Sequence, residues 1–508
     1  MSMMTRRFGT IASATLACAA LATASPAATA ARAYALPPGA PVSATFAAEV
    51  DGVAAPVEER DYVAQLQVAL DDGPATVRLT FPSADEYEVS PLIDAVPVTR
   101  PAPDTMVLTL DAPGHYVVSR ADRNPGRGNY TAPKLLLSVD GASADRPPAP
   151  SRRLTVPEGA STAEIQALID ASGESGGRMT VYVPPGRLHL TNTLFMRPRS
   201  RLHIDEGSRI KALEEPLTMA LILIHEADGV RISGRGSIDG SGAEYVSVVP
   251  YERLAERDAR RYYLMYAWAS DDVRISGVTL QNAGGWTNFV SGSERWRMKN
   301  VRVIDYLNPS YGWFEGHDGI VFSSSRDMRF VDSIVHSGDD GLTVKHTNSS
   351  RFDVTEDIVF RNVVTYASGT SRGIAISDEF ETGSTVRGLT YRDIDVVRSE
   401  IGFAIDGSAD DSGRTFSGIR FDGVRFENVF ERVFDVDAGG IDLSGVTLRN
   451  VSADRWGELA SRFRSVEGAS DVGRFTFDGV TIDGQRLRSR EDLLPYVEFG
   501  TGVDDRYR

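Results

Sequence analysis

Three aspartates in two glycine-bracketed segments are the residues of this chain best suited to chemistry. Asp318 lies in the segment GHDGI (316–320), and Asp339 and Asp340 lie in the segment SGDDGL (337–342), so that Asp339 follows Asp318 by 21 residues. A single turn aspartate usually satisfies neighbouring backbone groups. An adjacent pair of carboxylates that faces a third one is different, because the like charges repel and raise the pKa of at least one of the three groups. A purely structural role does not require this unfavourable arrangement. Two carboxyl groups that flank an oxygen can hydrolyse a glycosidic bond, so the pattern favours that chemistry if the segments meet.

A strand-like repeat is the element that would bring the segments together. Apolar and polar residues alternate in eight short segments between residues 273 and 480, without a helical pattern between them. The segments are centred on Ile275, Met298, Phe330, Phe360, Tyr391, Phe421, Leu448 and Phe477, which are 23 to 32 residues apart. Repeats of this length, with Asn, Asp and Gly at the turns, are typical of a parallel β-helix. Adjacent strands would then place Asp318 about 4.8 Å below the aspartate pair.

Other repeat architectures fit this pattern poorly. The Leu-x-x-Leu-x-Leu frame of leucine-rich repeats is absent. A propeller blade needs about 40 residues and four antiparallel strands, and the spacing does not match. The repeat therefore predicts a parallel β-helix.

The first residues of the chain have a different composition. Residues 1–33 begin with Arg6 and Arg7, continue with an apolar stretch and close on Ala-Arg-Ala at 31–33. This order is typical of a secretory signal peptide, so we expect a secreted protein. The only cysteine, Cys18, lies in this leader, which excludes disulfides and thiolate metal sites from the mature chain.

Two domains are predicted after the leader. Residues 34–150 contain short alternating strands such as 76–81, and they end in a polar, proline-rich linker at 141–151. This pattern predicts an N-terminal β-sandwich. Residues 151–508 form the β-helix, and a helical spacing at 162–172 predicts a short helix that covers its open end. The fold class is therefore all-β.

Composition limits the partners. The net charge of −16 disfavours nucleic acid and polyanionic polysaccharide and is compatible with a neutral glycan. No segment after the leader has 18 consecutive apolar residues, so no membrane span is expected. The histidines at 189, 203 and 225 lack ligand spacing, so we expect no metal and no cofactor. The expected partner is a polysaccharide or oligosaccharide substrate, and the oligomeric state does not follow from the sequence.

The aspartate motifs and the repeat resemble the right-handed β-helix glycoside hydrolases of family 28 (polygalacturonases and relatives) and family 49 (dextranases and isopullulanase). Family 28 carries Asn-Thr-Asp-Gly, an Asp-Asp pair at the same interval, Gly-His-Gly and Arg-Ile-Lys, and the resemblance covers roughly residues 175–490. It implies hydrolysis with inversion at the anomeric carbon. Asp339 would be the general acid, and Asp318 and Asp340 would hold and deprotonate the attacking water. Inversion predicts acid and base oxygens about 6.5–9.5 Å apart.

The departures from family 28 bear on the substrate. Arg372 stands where Gly-His-Gly has its histidine, and Ala404 and Asp406 stand where Arg-Ile-Lys has its two cations. Those cations bind uronate carboxylates in pectin-degrading members, so their loss argues against galacturonan. A β-sandwich before a β-helix is similar to family 49, which makes a neutral, dextran-like α-glucan the first expectation. A pectin hydrolase, a polysaccharide lyase and a non-catalytic glycan-binding β-helix remain alternatives.

Five further residues are placed to contact a substrate. Lys345 lies just after the aspartate pair, and it either binds a sugar hydroxyl or is an exposed structural lysine. Arg372, one coil further on, is expected to contact the substrate. His317 either orients a carboxylate or is a satisfied turn residue. Trp313, in an aromatic insertion, either stacks on a sugar ring or anchors its loop, and Asp378 either lines the same face or is solvated.

Overall fold

The structure is a computed structural model. It describes residues 31–71, 73–92, 96–120, 132–141, 146–213, 217, 219–246, 262–306, 316–347, 351–368, 371–380, 383–407, 413–464, 473–500 and 503–508.

The N-terminal unit consists of two sheets on one hydrophobic core. Its strands are β1 (Ala31–Ala33), β2 (Ala47–Val50), β3 (Val53–Ala55), β4 (Glu58–Arg60), β5 (Val63–Leu70), β6 (Ala75–Thr80), β7 (Tyr87–Ser90), β8 (Val98–Ala102), β9 (Thr105–Leu110), β10 (Gly114–Arg120) and β11 (Lys134–Gly141). One sheet has the order β1-β5-β11-β10-β7, with β4 paired to β5, and the other has the order β3-β2-β6-β9-β8. Residues of β6 alternate between buried and exposed, as in a strand with one face on a core. The predicted β-sandwich is confirmed, and residues 31–33, assigned above to the leader, form its first strand.

The rest of the described chain is a right-handed parallel β-helix, as predicted. Its strands are β12 (Arg153–Thr155), β13 (Thr180–Val183), β14 (Leu188–Thr191), β15 (Leu194–Phe195), β16 (Arg201–Ile204), β17 (Arg209–Ala212), β18 (Ala220–His225), β19 (Arg231–Gly234), β20 (Ser237–Asp239), β21 (Tyr263–Trp268), β22 (Arg274–Ser276), β23 (Thr279–Gln281), β24 (Asn288–Ser291), β25 (Glu294–Lys299), β26 (Arg302–Ile304), β27 (Ile320–Ser323), β28 (Arg326–Ser337), β29 (Leu342–His346), β30 (Val354–Ala367), β31 (Arg372–Phe380), β32 (Thr385–Arg387), β33 (Thr390–Asp406), β34 (Thr415–Ser417), β35 (Arg420–Asp422), β36 (Arg425–Phe426), β37 (Val429–Asp437), β38 (Asp442–Ser444), β39 (Val446–Arg449), β40 (Ser452–Ala453), β41 (Ser461–Arg464), β42 (Arg474–Asp478), β43 (Thr481–Ile482), β44 (Gln485–Arg486), β45 (Val497–Phe499) and β46 (Asp504–Tyr507). The helices among the described residues are α1 (Thr162–Glu174), α2 (Gly242–Val246) and α3 (Arg490–Leu493), with 3-10 turns at Ala84–Glu86 and Pro150–Arg152.

The apolar centres of the repeat explain why the coils stack. All eight predicted centres, from Ile275 to Phe477, are register partners of one another on successive coils. The rings of Phe360 and Tyr391 stack with centroids 5.2 Å apart, and those of Tyr391 and Phe421 stack at 5.0 Å. Each coil therefore buries its inward side chains against the coils on either side.

One face of the β-helix is a sheet formed by β15, β18, β21, β24, β27, β29, β31 and the second half of β33, paired in that order. We call it the front sheet. Helix α1 covers the N-terminal end of the stack, as predicted. Ser161 and Glu164 form its capping box, and Ile165 and Ile169 are buried in the core. None of the described helices is long and apolar enough to cross a membrane.

The sandwich packs on another face of the β-helix, which contains β17, β20, β23 and β26. Arg209 of the β-helix donates to both carboxylate oxygens of Glu58 in the sandwich, at 2.8 and 2.6 Å. Gln65 donates to Gln281 at 3.1 Å and to the Tyr306 hydroxyl at 2.7 Å. These buried polar contacts fix the position of the sandwich, and none of them involves a strand of the front sheet.

Candidate active site

The pairing of front-sheet strands brings the three aspartates together. Ile320 of β27 is the register partner of Leu342 in β29, so Asp318 lies beside Asp340 on the adjacent coil. The Gly319 amide donates to the Asp340 carbonyl at 2.8 Å, and the Asp339 amide donates to the His317 carbonyl at 3.2 Å. One carboxylate oxygen from each of Asp318, Asp339 and Asp340 lies within 4.8 Å of the others. The predicted cluster is therefore present.

The glycine after each aspartate segment allows this close approach. Gly319, Gly341, Gly373 and Gly402 occupy one register row at the start of four successive front-sheet coils. A Cβ on Gly341 would lie 2.3 Å from the Thr365 Oγ1 and 2.8 Å from the Gly373 carbonyl oxygen. A side chain at this row would clash with the neighbouring coil. Glycine at these positions therefore lets Asp318 and Asp340 lie close together just before β27 and β29 begin.

Asp339 has the environment of a general acid. Burial, followed by the charges of Asp340 and Asp318, raises the pKa of its carboxyl group well above the ordinary value of 3.8. The Gly316 amide donates to its Oδ2 at 2.6 Å and acts in the opposite direction, as does the more distant charge of Arg372. Because the raising effects win, Asp339 keeps its proton at a pH where ordinary carboxyl groups are ionised.

Asp340 is held by Arg372, which crosses from the next coil. The Arg372 backbone amide donates to Asp340 Oδ1 at 3.0 Å, and its Nη1 donates to Oδ2 at 3.1 Å. Nη2 of the same guanidinium pairs with Asp406. Burial lowers the pKa of Arg372, but the charges of Asp340 and Asp406 outweigh burial and raise this pKa above its ordinary value. Arg372 is thus a clamp between two carboxylates, and Asp340 has a fixed orientation.

Asp318 has its own cation in Lys345. The Lys345 Nζ lies 3.4 Å from Asp318 Oδ2, and the two side chains are only 4% and 3% exposed. The same ammonium lies 4.0 Å from the centroid of the Trp286 ring. Of the two alternatives for Lys345, the exposed structural lysine is wrong, because the side chain is buried between a carboxylate and an indole. Its binding of a sugar hydroxyl stays a prediction.

The other predicted contacts are less directly placed. The buried His317 directs its Nδ1 at Asp305, 3.2 Å from Oδ2, a carboxylate outside the cluster of three. Trp313 lies outside the described residues. Asp378 is part of β31, but its side chain lies outside the described part of the structure, so both predictions stay predictions.

The distance expected for inversion between the acid and base oxygens is not found for the nearest carboxylate oxygens. They lie within 4.8 Å of one another, whereas about 6.5–9.5 Å was expected. The reason is the strand spacing of about 4.8 Å, which sets the distance between groups on one register row. Three close carboxylates could also hold a cation. The absence of a metal from the reaction stays a prediction.

The sequence reasoning missed Trp286. It lies 32 residues before Asp318, and the same interval separates Met298 and Phe330, the apolar centres of those two coils. The register of β24 with β27 places it directly below Asp318. Counting back from Asp318 by the distance between these two centres would have identified Trp286.

Comparison with known proteins points to one family. The family model described as "Glycosyl hydrolases family 28" matches residues 180–491. The probable exopolygalacturonase B of Emericella nidulans is 26% identical over 125 residues, which are 24% of this chain and 28% of that protein. The match thus spans less than a third of this relative.

Solved structures share the fold. Dex49A from Penicillium minioluteum superimposes with a TM-score of 0.61 at 10% identity, covering 93% of this chain and 96% of that one. The exopolygalacturonase from Thermotoga maritima gives a TM-score of 0.52 at 16% identity, covering 72% and 94%. The polygalacturonase from Erwinia carotovora ssp. carotovora gives 0.52 at 18% identity, covering 70% and 98%. At these identities the likeness establishes the right-handed β-helix fold.

Proposed function

Because the chain belongs to glycosyl hydrolase family 28, we propose that it hydrolyses the glycosidic bonds of a polysaccharide with inversion at the anomeric carbon. The observation that carries the proposal is the difference between the three carboxyl groups. Asp339 keeps its proton beside Asp340 and Asp318, while those two carboxylates are paired with Arg372 and Lys345. An acid and two basic oxygens are thus present in one cluster.

The reaction proceeds in a single displacement. Asp339 donates its proton to the glycosidic oxygen as the bond from that oxygen to the anomeric carbon breaks. A water molecule attacks the anomeric carbon from the opposite face, and Asp318 or Asp340 accepts the proton that the water loses. The two paired carboxylates can accept hydrogen bonds from both water hydrogens, which orients the water oxygen toward the carbon. The carboxylate that accepted the proton releases it to solvent and Asp339 takes up a proton from solvent, which completes the cycle.

The stereochemical outcome has a direct test, because close carboxyl groups favour retention and the family resemblance implies inversion. ¹H NMR of a fresh digest resolves the anomeric protons of the first product before mutarotation. We expect the anomer opposite to that of the substrate. The same anomer as the substrate would show that one carboxylate attacks carbon directly, and hydrolysis would still stand.

The first substrate candidate is a galacturonan-type polysaccharide. Family membership supports it, and so does the curated relative, whose name is an exopolygalacturonase. Arg372 is 31% exposed, so it can offer part of its guanidinium to a uronate carboxylate. This ranking reverses the expectation from the sequence.

A second candidate is a neutral α-glucan of the dextran type. The two cations of the cluster, Lys345 and Arg372, already pair with carboxylates, and Asp406 shares the Arg372 guanidinium. A uronate would have to compete with these acids for the charge. The β-sandwich followed by a β-helix supports the same candidate.

A reducing-sugar screen over polygalacturonate, dextran, pullulan, arabinan and fructan separates the candidates. We expect release from polygalacturonate, and release from dextran alone would favour the second candidate. A product that absorbs in the ultraviolet would identify a lyase. Binding without release of any sugar would identify a non-catalytic protein and overturn the proposal.

We also propose that the protein is secreted, on the basis of the leader pattern in residues 1–33. Fusion of these residues to a reporter enzyme should export the reporter, and replacement of Arg6 and Arg7 by glutamate should reduce export. A reporter that stays in the cell would refute this proposal.

A further inference from the structure

Aromatic residues continue the row of the catalytic carboxylates toward the N-terminal end of the β-helix. Tyr263 of β21 and Trp286, just before β24, precede Asp318 and Asp340 at the same register position on successive coils. The Leu264 amide bonds to the Trp286 carbonyl at 3.3 Å, and the Thr287 amide bonds to the Asp318 carbonyl at 2.9 Å. Each step along the row is about 4.8 Å.

A second aromatic row lies beside the first. Tyr266 and Phe289 are register partners, and their rings stack with centroids 5.4 Å apart. Phe289 also lies 5.5 Å from Tyr263 and 5.2 Å from Trp286. We call Tyr263, Tyr266, Trp286 and Phe289 the four-ring cluster.

The four-ring cluster lies outside the core of the β-helix. Other residues of the same strands, Leu264, Met265, Ala267 and Val290, belong to the continuous core, and the four rings do not. Tyr263, Tyr266 and Trp286 are partly exposed. The row of Tyr266 continues outward through Leu223 to Phe195, which is 44% exposed. Phe289 is only 6% exposed, and packing in the core does not account for the other three rings, which are partly exposed.

The four-ring cluster is continuous with the carboxylates. Lys345 touches both, with its Nζ 4.0 Å from the Trp286 centroid and 3.4 Å from Asp318. The four side chains carry no formal charge, and their tyrosine hydroxyls can exchange hydrogen bonds. Sugar rings present C–H groups on their faces and hydroxyls at their edges, so partly exposed aromatic rings next to a hydrolytic site match them chemically.

We propose that the four-ring cluster binds glycosyl units of the substrate chain on the N-terminal side of the cleaved bond. The inference rests on the proposed function and adds the position and chemistry of a further binding site. Stacking on uncharged rings recognises sugar faces and not uronate charges. The cluster therefore contributes affinity for the chain, while the groups around Arg372 discriminate charge. The extension to Phe195 predicts tighter binding of long chains than of short ones.

Affinity electrophoresis tests the proposal in gels that contain polygalacturonate or dextran. The Asp339→Asn background prevents cleavage during the run, and Tyr266→Ala and Tyr263→Leu are added to it separately. Loss of one stacked ring should weaken binding about two- to tenfold. Tyr496→Ala is the matched control, because Tyr496 is also partly exposed and stacks on Trp456, 4.8 Å away, near the C-terminus.

The outcomes separate this inference from the proposed function. Weaker binding in both variants with an unchanged control supports the inference, even if the wild-type protein releases no sugar from any glycan. Unchanged binding in both overturns it, even if the wild type hydrolyses that glycan. Circular dichroism identifies a variant that fails to fold, and the apolar Tyr263→Leu change retains cover over the neighbouring rings. Equal loss in the control variant would also overturn it.

Discussion

Asp339→Asn removes a carboxyl group that burial and the charges of Asp340 and Asp318 hold in its protonated form. In the unfolded chain this group ionises near its ordinary pKa of 3.8. Between that pH and its raised pKa in the folded protein, the folded state binds one more proton than the unfolded state. The stability of the wild type therefore falls as pH rises through this window.

The size of the effect follows from proton linkage. One proton of difference changes the free energy of unfolding by about 1.4 kcal/mol per pH unit. Asparagine has no such proton, so across this window the stability of the variant should gain on that of the wild type by up to about 1.4 kcal/mol per pH unit. The slope of the difference should fall to about half of this value at the pKa of Asp339 in the folded protein and should vanish above that pKa.

Urea unfolding of both proteins at half-unit pH intervals measures this difference. Asp422→Asn is the control, because a hydrogen bond from Arg449 lowers the pKa of Asp422. A lowered pKa contributes stability that is complete above the ordinary value of 3.8, so its difference from the wild type should be flat from pH 4 to 6. Parallel curves for wild type and Asp339→Asn would refute the reasoning, because they would mean that Asp339 ionises normally.

Three further substitutions probe the parts that hold the site. Gly341→Ala should destabilise the protein by about 1–3 kcal/mol, because its Cβ would lie 2.3 Å from a side-chain oxygen. Thermal unfolding measures this loss, with Gly141→Ala as the control because its Cβ would meet nothing closer than 3.7 Å. Equal melting temperatures of the two variants would contradict the prediction. Arg372→Gln should cost about 3–5 kcal/mol of stability, because it leaves the buried Asp340 without its cation. Urea unfolding should show a much smaller loss for Arg449→Gln, whose arginine is 53% exposed. Similar losses in the two variants would count against the clamp. Lys345→Met should lower kcat more than it raises KM, because it removes the cation beside Asp318, and unchanged steady-state kinetics would rule out that role.

Much of the fold could be predicted from the sequence because inward packing constrains it strongly. The residues from Ile275 to Phe477 had to alternate with polar residues to bury one side chain per strand, and that alternation is visible without coordinates. The glycines after Asp318 and Asp340 are visible for a similar reason, since no other side chain fits their row. The three aspartates were therefore found from spacing alone.

The rest of the site depends on distances that the sequence does not encode locally. Coil length varies, so the position of Trp286 below Asp318 becomes evident only when a whole coil is aligned. The burial of Lys345 depends on an indole two coils away. The short distance between the carboxylates follows from the spacing of paired strands, which backbone hydrogen bonds set independently of the reaction.

The most direct test of the central claim is the initial rate of reducing-sugar release by the wild type and by Asp339→Asn. The assay uses the polysaccharide that the wild type cleaves fastest. If Asp339 supplies the proton to the leaving oxygen, the variant should lose about 10²- to 10⁴-fold in kcat while remaining folded. A folded Asp339→Asn protein that retains wild-type kcat would contradict the assignment of Asp339 as the acid and the proposed reaction at this cluster.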